Sequence, residues 1–172
     1  MTDPIHVVGV EDCSTVLVRS DPWVPLTVVW SGAESSAELV LYLRDPHEGY
    51  VKVNVDADSG ALRRLVLIHM PAFVDHQQQS VALREDLVPA LDRHMWPWKE
   101  TPDYSEPVHS YIDVRMRLTY SITDGRFVLW LGESELVEWL QVGPVRLGLS
   151  GAGGLMSVDV PVGHLDESWL ED

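Results

Sequence analysis

The side chains best suited to recognition lie in one short aromatic segment of the chain. His94, Trp96 and Trp98 belong to the run HMWPW, and Tyr104 follows it closely. Tryptophan, tyrosine and methionine are over-represented where proteins bind partners, because they supply large contact area at little entropic cost. The same rings would serve equally well to pin a long connecting segment onto a sheet. The segment is therefore predicted either as a partner-binding site or as a structural anchor.

A second candidate combines acids with tryptophans. Glu133 and Glu135 lie in a predicted hairpin between Trp130 and Trp139, in the most negative third of the chain. These four residues join the candidate partner-binding set. A solvated acidic loop is the alternative.

Two turns begin like ligand-binding loops but lack the required spacing. From Asp56 to Gly60 the pattern starts as a calcium loop does, yet the glycine arrives one position early and no closing glutamate follows. The glycine-rich run from Gly148 to Gly154 precedes an alternating segment, not the helix that a phosphate-binding loop or a nucleophile elbow needs. Both are predicted to be hairpin turns, so we predict no catalytic residue, Ser150 included, and no cofactor.

The histidines and the cysteine give no local metal-binding pattern. None of the seven histidines forms HxH or HExxH. His69, His76, His94 and His109 flank or lie in the central segment, so their convergence in space is the alternative to a surface role. Cys13 is the only cysteine, which excludes an internal disulfide. We therefore predict no metal ligands.

The charge of the chain excludes some partners. Its 172 residues include 27 acids and 12 lysines and arginines, for a net charge of -15. Such a surface repels nucleic acid and anionic membranes. The acid is concentrated in residues 1–50 and 127–172, while the middle of the chain is nearly neutral. A protein partner, basic if charge guides the encounter, is the partner we expect, and a homodimer is a further alternative.

Residue usage and the N-terminal segment suggest a source and a location. Ten arginines against two lysines is a usage typical of GC-rich bacterial genomes. The first residues lack the basic and apolar regions of a signal peptide. No apolar run reaches the length of about 18 residues that predicts a transmembrane helix. We expect a cytoplasmic bacterial protein.

Alternation with a period of two dominates the chain and predicts β-strands. From Tyr111 to Ile122 every even position is apolar, and this run is the strongest strand prediction. The turn formers Asp58-Ser59-Gly60 and Asp124-Gly125 separate such runs as hairpin turns do. The other predicted strands are Leu26–Trp30, Glu38–Arg44, Tyr50–Val55, Leu62–Met70, Phe127–Leu131, Leu136–Val142, Val145–Leu149 and Met156–Val160.

The order of these runs recurs, which predicts an internal duplication. Leu39–Leu43 followed by Tyr50–Pro71 aligns with Phe127–Leu131 followed by Pro144–Pro161. Chance similarity between two hairpins rich in valine and leucine is the alternative.

The predicted organisation is one domain made of two halves, about 1–71 and 108–161, with a connector at 72–107 and an acidic tail at 162–172. A stripe of leucines at spacing four in the connector predicts short helical turns, interrupted at Pro89. The predicted fold is therefore all-β or β-dominated. Eight to ten antiparallel strands form two similar meanders, packed as a sandwich or as paired half-barrels, with a short helical connector.

Two functions follow as hypotheses. The first is a non-catalytic protein-binding module, such as an immunity-type protein or a regulatory adaptor, whose acidic surface meets a basic partner. The alternative is a small-molecule-binding or enzymatic β-fold with its pocket between the two halves, lined by Trp96, Trp98 and the connector histidines. A homodimer that pairs exposed sheet faces or edges is a third expectation.

Overall fold

The protein is built almost entirely of β-strands. The computed structural model describes residues 4–31, 37–76, 80–100 and 110–170. Within these ranges the strands are β1 (Val7–Asp12), β2 (Thr15–Arg19), β3 (Leu26–Ser31), β4 (Glu38–Arg44), β5 (Tyr50–Asp56), β6 (Leu62–His69), β7 (Ala72–Phe73), β8 (Ala82–Glu85), β9 (Leu87–Leu91), β10 (Lys99–Glu100), β11 (Ser110–Arg115), β12 (Thr119–Thr123), β13 (Arg126–Trp130), β14 (Leu136–Val142), β15 (Val145–Ser150) and β16 (Leu155–Pro161).

In the described part of the chain these strands form two seven-stranded sheets and a two-stranded ribbon. Sheet 1 has the order β10-β11-β4-β5-β6-β3-β2, sheet 2 has the order β7-β12-β13-β16-β15-β14-β8, and β1 pairs with β9 in the ribbon. Alternate side chains from both sheets, such as Leu41 and Leu65 from sheet 1 and Phe127 and Leu147 from sheet 2, belong to one buried core. The fold is therefore a β sandwich, as the alternating sequence predicts.

The two sheets share a strand order. Sheet 1 contains β2-β3-β6-β5-β4 and sheet 2 contains β12-β13-β16-β15-β14, so these two groups of five strands follow the same path. This order is not a simple meander. In chain order, the second strand of each group (β3 or β13) pairs with the last strand of that group (β6 or β16). The sequence match of Leu39–Leu43 with Phe127–Leu131 equates β4 with β13, which hold different places in their sheets. The duplication itself stays a prediction.

The strongest strand prediction is wrong in one respect, because Tyr111–Ile122 is two strands in two sheets. β11 pairs with β4 in sheet 1, and β12 pairs with β13 in sheet 2. The chain bends between them, where Met116 N–H bonds to the Arg44 carbonyl and Leu118 N–H bonds to the Asp45 carboxylate. Alternation continues through the bend, since Met116 and Leu118 are both buried. Periodicity alone therefore cannot reveal it.

The helical connector is also wrong, because the described part of 72–107 contains the short strands β7 to β10 and no helix. A spacing of four is an even number, so Leu87 and Leu91 lie on one face of a strand as readily as on one face of a helix. Pro89 disrupts a helix but is accommodated in β9. β7 and β8 join sheet 2 through parallel pairing with β12 and β14, and β11 pairs in parallel with β4. The prediction of antiparallel pairing throughout fails at these places.

The C-terminal tail docks on the sandwich through two 3₁₀ turns, Val162–His164 and Glu167–Trp169. Trp169 donates its indole N–H to the Asp21 carbonyl, and Asp166 donates its backbone N–H to Ser20. Across the described residues, no helix has the length and apolar character needed to traverse a membrane.

Candidate functional site

The aromatic segment of the connector packs against the protein itself. Trp96 and Trp98 are partly buried against the core, with their ring centroids 5.6 Å apart at an angle of 73°. Trp98 donates its indole N–H to the Arg93 carbonyl at 2.6 Å. These contacts are those of a structural anchor, the second of the two predicted roles. His94 is exposed beside them, and Tyr104 lies outside the described residues.

The tryptophans of the second candidate lie on the outer face of sheet 2, and both are buried. Trp130 is 4% exposed and donates its indole N–H to Ser121 at 2.8 Å. The ring of His76 lies over it with the centroids 4.2 Å apart. Trp139 is 3% exposed under the guanidinium of Arg146. Neither indole presents a free face to a partner.

The outer face of sheet 2 also carries an ion network that was not predicted from the sequence. Asp159 on β16 is 0% exposed, and Arg126 and Arg146 each approach one of its carboxylate oxygens to 2.7 Å. Arg126 also donates to the Pro144 carbonyl. A buried carboxylate needs such partners, since an unpaired buried charge costs several kcal/mol. The only sequence signal for the network is an aspartate inside strand β16, whose other residues are apolar apart from Ser157.

A small pocket brings together two of the predicted site residues. It has a volume of about 230 Å³, and its lining includes Trp130, Glu133, His76, Thr119 and Arg117. Glu133 pairs with Arg117 at 3.1 Å, and both side chains are more than half exposed. The structure therefore places Trp130 and Glu133 together and adds a histidine from the connector.

The two remaining residues of this candidate do not line the pocket. Glu135 is exposed on the loop before β14. Trp139 lies on β14, and β16 and β15 separate that strand from Trp130 on β13. Three strand spacings amount to roughly 14 Å. The four residues therefore do not line one pocket, and their role in partner binding stays a prediction.

A larger groove lies where the two halves meet, and we call it the joint groove. It has a volume of about 630 Å³ and is lined by residues 45–48 of the β4–β5 turn, 72–74 at β7, and 115–119 of the β11–β12 bend. Its apolar lining includes Phe73 and Met116, and its charged groups include Arg115 and Glu48. The predicted pocket between the halves thus has a counterpart. Within the described residues, its lining contains neither of the connector tryptophans and none of the four connector histidines.

Asp45 holds one wall of the joint groove in place. Partial burial disfavours its charged form, but hydrogen bonds from the backbone N–H groups of His47, Leu118 and Glu48 outweigh that effect and lower the pKa of Asp45 from 3.8. The carboxylate is therefore a fixed anion that ties the β4–β5 turn to the bend. A group held in this way is poorly suited to take up a proton as a general base.

The motifs set aside as hairpin turns are turns in the structure. Asp56 accepts backbone N–H bonds from Asp58 and Ser59, and Gly60 has a φ of +78°. Ser150 accepts the N–H of Gly154 within the β15–β16 turn. Each side chain has a structural partner of the kind that turns provide.

The histidines do not build a metal site in the part of the chain that the structure describes. His69 lies on β6 of sheet 1, whereas His76 covers Trp130 on sheet 2. Among the described residues, no group of three or more histidines, cysteines or acids is placed to hold a metal ion. His109 lies outside the described residues.

The exposed apolar side chains follow a different pattern from the tryptophans of the predicted set. Each of the edge strands β1, β2, β7 and β8 carries at least one, whereas the residues of edge strand β10 are Lys99 and Glu100. The exposed residues on these strands are Val8, Val10, Leu17, Phe73 and Leu83. Edge strands in soluble proteins are usually blunted by charge or proline. Four edges of this protein each expose at least one apolar side chain, although β1, β2 and β8 also carry charged residues.

The comparisons with known proteins leave the site to be argued on its own geometry. No protein-family model matches the chain, and no curated protein matches its sequence.

Proposed function

We propose that this chain is a non-catalytic protein-binding module, an adaptor or immunity-type protein, that engages its partner through its strand edges. One observation carries the proposal, namely the exposed apolar residues on β1, β2, β7 and β8. A strand edge offers a row of backbone donors and acceptors, and an exposed apolar side chain beside it adds area that gains from burial. A partner strand added at such an edge would use both the backbone groups and the apolar side chain.

The polar chemistry of the described surface supports binding over catalysis. The carboxylate of Asp45 is occupied by backbone N–H groups, and that of Asp159 is occupied by two arginines. Both carboxylates are occupied by fixed donors. Such groups stabilise structure, while acid–base catalysis needs a group that exchanges protons near the working pH.

Affinity capture with edge variants tests the proposal. We expect the immobilised full chain to retain a stoichiometric partner from a lysate of the source cells. Replacing the edge residues with threonine should release it; these residues are Val8, Val10, Leu17, Phe73 and Leu83. The matched control replaces Ile68 and Ile122, which are exposed on β6 and β12 inside the sheets. A partner released equally by both variants, or by neither, contradicts binding through the edges. Added salt weakens the complex if the acidic surface attracts the partner.

A second candidate function is small-molecule binding in the joint groove. Its volume of about 630 Å³ falls within the range of roughly 300–1,000 Å³ that ligand sites occupy. Arg115 lines it, and no acid among the described residues forms an ion pair with this arginine. We propose a small organic anion as the ligand for this case.

Thermal-shift screening of organic carboxylates and phosphates separates the two functions. An anion that raises the Tm of the chain, and no longer does so in Arg115→Ala, supports the small-molecule function. A shift that survives in Arg115→Ala but disappears at high salt reflects general charge screening and contradicts it.

A further inference from the structure

One edge of the β1–β9 ribbon is open, and the residues along it indicate what kind of partner could bind there. β1 pairs with β9 on one side. On the other side only its start is held, where His6 bridges Gly154 and Val7 donates its N–H to the Gly153 carbonyl at 2.7 Å. Among the described residues, no backbone group bonds to the outer side of β1 beyond Val7. We call this side the β1 edge, and the inference drawn from it rests on the proposed protein-binding function.

The hydrogen-bonding direction along β1 shows which backbone groups the edge presents. Cys13 donates its N–H to the Asp86 carbonyl, on the β9 side. Because N–H groups alternate in direction along a strand, those of Glu11 and Gly9 also point to β9, and those of Asp12 and Val10 point outward. Val10 lies opposite Pro89, which has no N–H to donate. The outward groups are therefore available to a new strand.

The side chains of the β1 edge are apolar and uncrowded. Val8 is 61% exposed and Val10 is 37% exposed. A Cβ atom built on Gly9 would meet nothing within 4 Å. An added strand therefore meets open space and gains from covering both valines.

The charge around the β1 edge is negative. Glu11 and Asp12 end the strand, and Asp86 lies beside Cys13 before β9 begins. A shallow depression of about 450 Å³ is lined by Glu11, Asp12 and Arg63, together with apolar residues. Arg63 pairs with Asp56 at 3.5 Å, whereas no described cation forms an ion pair with Glu11, Asp12 or Asp86. Positive side chains on an added strand would form ion pairs with these acids.

We propose that β1 accepts, as an added strand, an extended segment of a partner protein that carries lysine or arginine at alternate positions. Its backbone pairs with the outward groups of Val10 and Asp12. Because side chains alternate between the two faces of a strand, its apolar side chains cover the two valines on the face that they share with Asp12, and its cations meet Glu11 on the opposite face. Direct pairing of two β1 edges is disfavoured, because it would bring together two chains that each carry a net charge of -15. Strand addition to an open edge needs no change in the sandwich itself.

Synthetic peptides of about eight residues, a common strand length, test the proposal on the intact chain. The first alternates lysine with valine, the second alternates glutamate with valine, and the third is the lysine peptide with backbone N-methyl groups that prevent strand pairing. We expect titration calorimetry to show binding of the first peptide, at least about tenfold weaker binding of the third, and no binding of the second. Equal binding of the first and third peptides would overturn strand addition.

Charge-reversed variants test whether the peptide binds at β1. Glu11→Lys with Asp12→Lys weakens the lysine peptide at least about tenfold and creates affinity for the glutamate peptide. The matched control, Glu100→Lys with Glu167→Lys, changes the net charge equally at exposed positions elsewhere and shifts affinity no more than about twofold. An equal loss in both variants shows general attraction and overturns the proposal. So does a dimer in sedimentation equilibrium that the Glu11 and Asp12 variant alone alters, because a second copy then occupies the edge.

The failures of the two proposals are distinguishable. If the threonine edge variant releases a natural partner while the Glu11 and Asp12 variant retains it, protein binding stands and the β1 inference fails. If no partner depends on the edge residues, the protein-binding function fails whatever the peptides do.

Discussion

The outer face of sheet 2 and the β1 edge differ in how many of their polar groups already have bonding partners within the protein. At Asp159 each carboxylate oxygen has an arginine at 2.7 Å, and Trp130 and Trp139 are covered. At the β1 edge, backbone groups point to solvent, two valines are exposed, and the acids form no ion pair within the described residues. The first region stabilises the protein, and the second has capacity left for a partner. The proposed binding site therefore rests on unused bonding capacity and not on residue type.

The tryptophans of the predicted set differ from the β1 edge in how far they are covered. Trp96, Trp98, Trp130 and Trp139 attract attention in the sequence because tryptophan is frequent at interfaces. In the structure each of them packs against the protein's own residues. Valine, leucine and phenylalanine side chains on edge strands are exposed instead, and so is Trp23, which lies outside the predicted set.

The largest change in the free energy of unfolding is expected for a substitution of Asp159 on the outer face of sheet 2. Asp159→Asn leaves Arg126 and Arg146 without a carboxylate between them, and loss of a buried partner costs about 3 kcal/mol. Urea unfolding measures the change. The control Glu133→Gln disrupts the exposed pair with Arg117 and changes the free energy of unfolding by less than about 1 kcal/mol. Equal, small effects of both variants would mean that the network is not structural.

The next effect separates the anchoring tryptophan from the exposed valine. Trp96→Ala removes packing against the core and lowers the free energy of unfolding by about 2 kcal/mol, less than for a fully buried ring. Val8→Thr alters an exposed edge and stays within about 0.5 kcal/mol. Denaturant titration of the pair checks this. A larger loss at Val8 than at Trp96 would reverse the roles assigned to the two regions.

The smallest effect concerns the joint groove and depends on pH. The pKa of Asp45 is lowered from 3.8 in the folded state, so its ionised form stabilises the fold above that value, and the contribution is lost as pH falls through the lowered pKa. Because the carboxylate is only partly buried, we expect a contribution below about 1 kcal/mol. Asp45→Asn therefore differs most from the parent chain near neutral pH and converges with it in acid. A difference that grows in acid would contradict the sign.

The local elements of the fold could be predicted from the sequence because they depend on neighbours in the chain. Alternation places strands such as Glu38–Arg44 and Leu136–Val142 at their observed bounds. The turns at Gly60 and Gly125 follow from glycines whose φ is positive. Both signals act within a few residues.

What could not be predicted depends on contacts that are distant in sequence. The bend at Met116 is held by the β4–β5 turn, which precedes it by about seventy residues. β8 is a strand because β14 offers it an edge, although Leu83 fits a helical stripe equally well. The openness of β1 follows from which strands the other segments pair with, and no local pattern records that.

Amide hydrogen exchange along β1 in the free, full-length protein tests the central claim most directly. The account predicts alternation: the N–H groups of Val10 and Asp12 exchange freely, while those of Gly9 and Glu11, which point to β9, exchange at least about a hundredfold more slowly. Because all four residues lie on one strand, they share the same local stability and differ only in direction. Equal protection of Val10, Glu11 and Asp12 would show that the β1 edge is already covered and would contradict the account.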